Sequence, residues 1–253
     1  MKRYFLLILP VIFVLSIIGC NKSDNPTEPE TTSGPSAGQP MPSFDNSADY
    51  GGTLATIQYS MASPIAGFPA IQTTLVFGIL GKGVDGGALT VNNNTIGKLT
   101  QGGSTYYIVP NPSNPTQTVS GINFNGSSHN FAVSGGNGIP AFNGAVSSPA
   151  SFNVTAPVAN ASISKSSNLQ VTWGGGSSSK VLVQIISTSD SKVKSYQELN
   201  DTGSHTIPSA DLSSFGGDCM VYVVKYNYNV VTGGGKKYYL ISEIVKNVVI
   251  KIN

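Results

Sequence analysis

The chain has 253 residues, of which 10% are charged and 40% hydrophobic, with 29 glycines and a formal charge of +2. Lys2 and Arg3 account for that charge, since without them the fourteen basic residues become twelve lysines matched by twelve acidic residues. With no arginine beyond Arg3 and no basic patch, the chain lacks what phosphate and guanine recognition require. That excludes nucleic acid as a partner, and so few ionisable side chains leave little for acid–base chemistry.

The chain opens with Lys2 and Arg3, followed by Tyr4 to Ile18, which is apolar except for Ser16 and is interrupted by Pro10. This run of about fifteen residues is shorter than the ~20 a helix needs to cross a bilayer, so it reads as the apolar region of a cleaved targeting signal. The tetrad Ile17-Ile18-Gly19-Cys20 that closes it resembles the lipobox of bacterial lipoproteins. The resemblance implies a signal peptide over residues 1–19, a diacylglycerol on the Cys20 thiol, and Cys20 as the acylated first residue of the mature protein. Attachment to the membrane through Cys20 follows. Asn21, in place of an aspartate, resembles lipoproteins sorted to the outer membrane.

Residues 20–43 hold the lipidated cysteine and then Pro26, Pro29, Pro35, Pro40 and Pro42 among Ser, Thr, Gly and acidic residues. Such a segment has too little apolar surface to bury and is expected to be a disordered tether, reaching up to ~70 Å if extended at ~3.1 Å per residue. The roughly 210 residues beyond it suffice for two β domains of ~100 residues each.

Residues 44–155 are expected to form the first, an antiparallel sandwich or partly open barrel. Ala55, Ile57, Tyr59 and Met61 alternate with polar residues, as do Leu75, Phe77 and Ile79, and this period of two marks half-buried strands. Further strands are expected at Leu89 to Val91, Ile96 to Leu99, Thr105 to Val109, Ser120 to Phe124, Asn130 to Val133 and Ser151 to Val154. Turn clusters such as Asn92-Asn93-Asn94 and Gly135-Gly136-Asn137-Gly138 separate them.

The turn at Ala156-Pro157 is expected to open the second domain, residues 156–253. Strands are legible at Val181 to Ile186, Val193 to Leu199, Ser204 to Ile207, Met220 to Tyr228 and Tyr238 to Ile250, broken by Gly174-Gly175-Gly176 and Gly233-Gly234-Gly235. Leu169-Gln170-Val171-Thr172-Trp173, then Thr206-Ile207-Pro208 with Leu212, then Cys219-Met220-Val221-Tyr222-Val223 resemble the fibronectin type III and immunoglobulin-like modules of bacterial surface proteins. The resemblance implies a β-sandwich with Trp173 in its core. It also puts Cys219 where the family usually has a tyrosine, so the corner hydrogen bond of that tyrosine is expected to be missing. The fold class is therefore all-β, with two β-sandwich domains after a signal and a tether.

Catalytic constellations are thin. His129 and His205 fall in different expected domains, and a serine-histidine-aspartate arrangement would have to use His205 with Asp201 or Asp211, without a nucleophile elbow. Asp45, Asp49 and Asp85 are the only carboxylates of residues 44–155 and read as solvated loop residues rather than a glycosidase pair. No clustered Cys and His or closely spaced oxygen ligands suggest zinc or calcium, so no cofactor is expected. With Cys20 lipidated, Cys219 has no disulfide partner and reads as a buried small hydrophobe.

Binding rests on tyrosines. Tyr222, Tyr226 and Tyr228 share one face of an expected strand, and Tyr238 or Tyr239 begins the strand that should pair with it. Together they would form an exposed aromatic strip for a protein or a glycan, or else cross-strand pairs that only stabilise the hairpin. The expected function is a non-catalytic, lipid-anchored envelope protein for binding, adhesion or scaffolding. The alternative is a hydrolase or an accessory subunit of an envelope or polysaccharide-processing enzyme.

Overall fold

The computed structural model describes residues 48–61, 71–112, 114–175 and 177–253. The chain is all-β: β1 (Tyr50–Met61), β2 (Ile71–Leu80), β3 (Leu89–Val91), β4 (Asn94–Thr95), β5 (Lys98–Gln101), β6 (Ser104–Val109), β7 (Ser128–Val133), β8 (Phe142–Ser147), β9 (Val154–Ala156) and β10 (Ser162–Ile163) come first. They are followed by β11 (Leu169–Trp173), β12 (Lys180–Ser187), β13 (Val193–Leu199), β14 (Ser204–Ile207), the single turn α1 (Ser209–Leu212), β15 (Gly217–Gly233) and β16 (Lys236–Ile252).

The last two strands organise the rest. They pair without a break from Gly217 opposite Ile252 to Gly233 opposite Lys236, and at ~3.3 Å per residue each is about 55 Å long. Gly234 and Gly235 close the hairpin at φ of 55° and 75°, the left-handed pair that a tight two-residue turn requires and that glycine adopts without strain. The two halves of this hairpin serve different neighbours. Toward its open end, β12 pairs with Cys219 to Tyr226 of β15, and β10 pairs with the end of β16. Toward its turn, β1 runs parallel to β16, with Gly52 opposite Tyr238 and Ser60 opposite Lys246, and β2, β6 and β5 follow outward.

Two smaller sheets lie on the inner face of this large one, β9-β11-β14 on one half and β4-β3-β7-β8 on the other. The expected boundary at residues 155 and 156 is therefore corrected: the described residues fall in one compact unit, and β15 and β16 run through both sandwich halves. Residues 227–246 lie in the sheet of the N-terminal half, and the parallel pairing of β1 with β16 replaces a purely antiparallel first domain. One apolar cluster spans both halves, from Leu54, Val76 and Tyr107 through Phe131 and Leu240 to Trp173, Val183 and Ile250.

The opposite face of the large sheet carries a second buried cluster that includes Ala55, Ile57, Leu182, Val224, Ile241 and Val245. Burial on both faces explains why β12, β15 and β16 read as nearly continuous apolar runs instead of alternating ones.

Residues 120 to 124, expected as a strand, form none. Ile122 and Phe124 still point inward, but side chains take the carbonyls a ladder would use. Asn92 and Asn94 donate to Gly121 and Ser120, while Ser127 and His129 donate to Asn123. The strand expected at Ser151 to Val154 begins only at Val154.

Candidate functional site

The four tyrosines expected to form one strip do not. Tyr222, Tyr226 and Tyr228 lie on the outer face of β15, whereas Tyr238 lies on the inner face of β16, stacked on Phe142 at 4.2 Å. Tyr222, Tyr226 and Tyr238 are buried; Tyr228 alone is 39% exposed. The correction has a simple cause: β15 and β16 pair with Tyr228 opposite Ile241, so Tyr238 falls opposite Val231, on the other side of the pleat from the three tyrosines of β15. Burial raises the phenol pKa of all three buried rings, most strongly for Tyr222 and Tyr226. Cys20, the expected lipidation site, lies outside the described residues.

Where the chain concentrates buried polar chemistry is the middle of the hairpin. Lys225, 1% exposed, and Asp201, 6% exposed, form an ion pair at 2.9 Å. The Asp201 carboxylate also accepts the Trp173 indole N–H at 2.7 Å and the backbone N–H of Ser178 at 2.9 Å. The Lys225 ammonium sits 5.1 Å from the centre of the Phe152 ring. Burial pushes the Asp201 carboxyl upward, but Lys225, Trp173 and Ser178 outweigh it and hold its pKa below the usual carboxylate value. Every oxygen is spoken for by a structural partner, so this cluster is a clasp between β11, β15 and the β13–β14 connection.

His129 forms a second buried polar centre, in the N-terminal half. Its Nε2–H donates to the Asn123 carbonyl at 3.0 Å, which leaves Nδ1 to accept from the Thr56 hydroxyl at 2.7 Å, with Ser242 Oγ at 3.2 Å. The ring meets Phe124 edge-on at 5.1 Å. Burial lowers its pKa below 6.5. The imidazole ties β7 to β1 and β16 as a neutral group.

His205 is half-buried, its ring 4.4 Å from that of Tyr196. The Tyr196 hydroxyl donates to Asp211 at 2.6 Å, and Lys194 pairs with the same carboxylate at 2.9 Å. Asp211 and Asp201, the two partners a catalytic histidine could have used, are thus each committed to other donors.

These two histidines give a pH prediction with a definite sign. A folded-state pKa lowered below 6.5 means that the unfolded chain binds protons first as pH falls, so stability is lost from about pH 6.5 downward by at most ~1.4 kcal/mol per pH unit for each ring. The melting temperature should fall between pH 7 and pH 5, and His129→Gln should flatten that fall. A wild-type melt flat over this range would show that His129 is not held neutral.

Among the described residues, no three His, Cys, Asp or Glu side chains group closely enough to hold a metal ion, and no helix is long and apolar enough to cross a membrane. Cys219 is free and buried, as expected for a small hydrophobe in a strand. Trp173 is buried in the core, as the sequence resemblance implied.

No protein-family model matches the chain, and no curated protein matches it in sequence. Among solved structures it is similar to the FN1-FN3 domains of chicken CNTN1 at 10% identity and a TM-score of 0.23, over 79% of this chain and 66% of that one. It is also similar to the complex of Dpr11 IG1 bound to DIP-gamma IG+IG2, at 10% identity and a TM-score of 0.21, over 80% and 96% of the two chains. DIP-gamma IG1+IG2 gives 9% identity and a TM-score of 0.21 over 80% and 95%.

Proposed function

We propose that this chain is a lipid-anchored, non-catalytic protein of the bacterial cell envelope, held at the outer membrane through Cys20 and presenting a β-sandwich body to a binding partner. The observation that carries the reading is the tetrad Ile17-Ile18-Gly19-Cys20 at the end of an apolar run too short to span a bilayer, followed by a proline-rich tether. The body supports it: Lys225, Asp201 and His129, three of its buried ionisable groups, are spent on holding strands together.

Cys20→Ser is the direct test. The wild-type protein should partition into detergent, because each buried methylene of an acyl chain contributes about 0.8 kcal/mol and two or more chains anchor stably. The variant should stay as an unprocessed precursor without attached lipid. Mass spectrometry showing an unmodified Cys20 at the mature amino terminus would overturn the anchor. A pulldown from native membranes then asks whether a protein or a polymer is retained by the body, and retention of neither would overturn the binding role.

A further inference from the structure

The outward face of the sheet β4-β3-β7-β8 is built from neutral side chains. Strand register sets Thr90, Ala132 and Asn143 in one row across it, and Asn130 opposite Ala145 in the next, with Ser128 opposite Ser147 beyond. The alternate residues of β7 and β8, among them Phe131, Val133, Phe142 and Val146, point into the core. The outward side chains are thus amides, hydroxyls and methyls. A shallow groove of about 430 Å³ runs over Thr90, Asn93, Asn130, Ala132, Asn143 and Ala145, and none of its lining residues is ionisable. It adjoins at Ala145 a second groove of about 490 Å³ walled by Ser147, Ser177, Ser179, Asn227 and Asn229, equally free of charge.

The β3–β4 turn at the rim of the groove is held in place before any ligand arrives. Asn92 and Asn93 occupy the two left-handed positions of the β3–β4 turn, at φ of 46° and 64°. The Asn92 side chain accepts the Asn130 backbone N–H at 2.8 Å and donates to the Gly121 carbonyl at 2.7 Å. The Asn94 amide donates to Ser120 at 2.9 Å and accepts the Ser120 hydroxyl at 2.9 Å. These bonds fix the rim, while Asn143 projects from the exposed face of β8. A rigid rim lowers the ordering cost of binding.

We infer that this face binds a neutral glycan chain. An array of amides and hydroxyls around small apolar residues offers both donors and acceptors to a polyhydroxylated ligand, and the methyls of Ala132 and Ala145 give its C–H faces a place to rest. A polyanion or an acidic peptide would find no cation here. The inference rests on the binding role proposed above and names the ligand class for it.

The test is affinity electrophoresis of the full chain, solubilised in detergent, through gels containing a neutral glucan, a neutral mannan or dextran sulfate. A neutral polysaccharide should retard the wild type. Ala132→Glu, which sets a bulky charge in the middle of an exposed face, and Asn143→Ala should each lower the apparent affinity by roughly tenfold, with unchanged melting temperature. Retardation only by dextran sulfate, no retardation by either neutral polymer, or retardation that both variants preserve would overturn the inference. Its failure differs from that of the binding role, since a pulldown that retains a protein partner would leave that role standing.

Discussion

Lys225→Met is expected to lower the melting temperature by on the order of 10 °C, followed by circular dichroism at neutral pH. Lys225 and Asp201 are almost wholly removed from water, and taking one partner from a buried pair leaves a desolvated charge that costs about 3 to 5 kcal/mol. In a domain of this size each kcal/mol moves the midpoint by about 2 to 4 °C. Asp201→Leu combined with Lys225→Met removes the stranded charge, so the double variant should melt above the sum of the two single losses. Full recovery is not expected, because Trp173 Nε1–H and the Ser178 N–H would still lack an acceptor. The Asp201 pKa is held below its ordinary value, so the carboxylate's contribution is present above about pH 4 and lost as pH falls toward the folded-state pKa. A Lys225→Met protein that melts within a degree of the wild type would show that the clasp does not hold the hairpin.

Several strands that turn one face to water were legible in the sequence. Leu89–Val91, Val193–Leu199 and Ser204–Ile207 lie where residue type and flanking turns place them, and Leu169–Trp173 where the family resemblance put a strand. What escaped is each feature that depends on a partner far along the chain. β8 carries Gly144 and Asn143 and so has a weak strand pattern. A Cβ at Gly144 would come within 2.5 Å of a Val231 methyl, so the glycine exists for the close approach of β8 to β15, which no local window contains.

The extension of β15 from Tyr228 to Gly233 was hidden by Asn229, which, like Asn227 before it, donates a side-chain bond to a carbonyl of β8, Ala145 and Ser147 respectively, and so stitches the sheets together. The tyrosine strip failed for a related reason. Spacing within β15 is readable, but the facing of Tyr238 depends on the register of a hairpin closed by Gly234 and Gly235, and a shift of one residue moves a ring to the other side. His129 carried no signal at all, since its partners Thr56 and Ser242 are 73 and 113 residues away.

The shared hairpin changes what loss of Trp173 should do. In a chain of two independent sandwiches, Trp173→Ala would unfold residues 156–253 and leave the rest intact. Here the indole is buried beneath the clasp, and truncating it leaves a cavity and strips Asp201 of one donor, at a cost of about 3 to 5 kcal/mol. That is a large share of the ~5 to 15 kcal/mol that holds a domain together. β16 supplies the parallel partner of β1 for ten paired positions, and β15 supplies the partner of β12, so neither half retains a complete sheet once the hairpin is released. Amide hydrogen exchange on the variant should therefore show the amides of β1 and β2 losing protection together with those of β12 and β15, in a single step that matches its thermal midpoint. Protection that survives in β1 and β2 after it has vanished from β12 would mean that the N-terminal half folds alone, with β16 held there by β1 without support from the clasp.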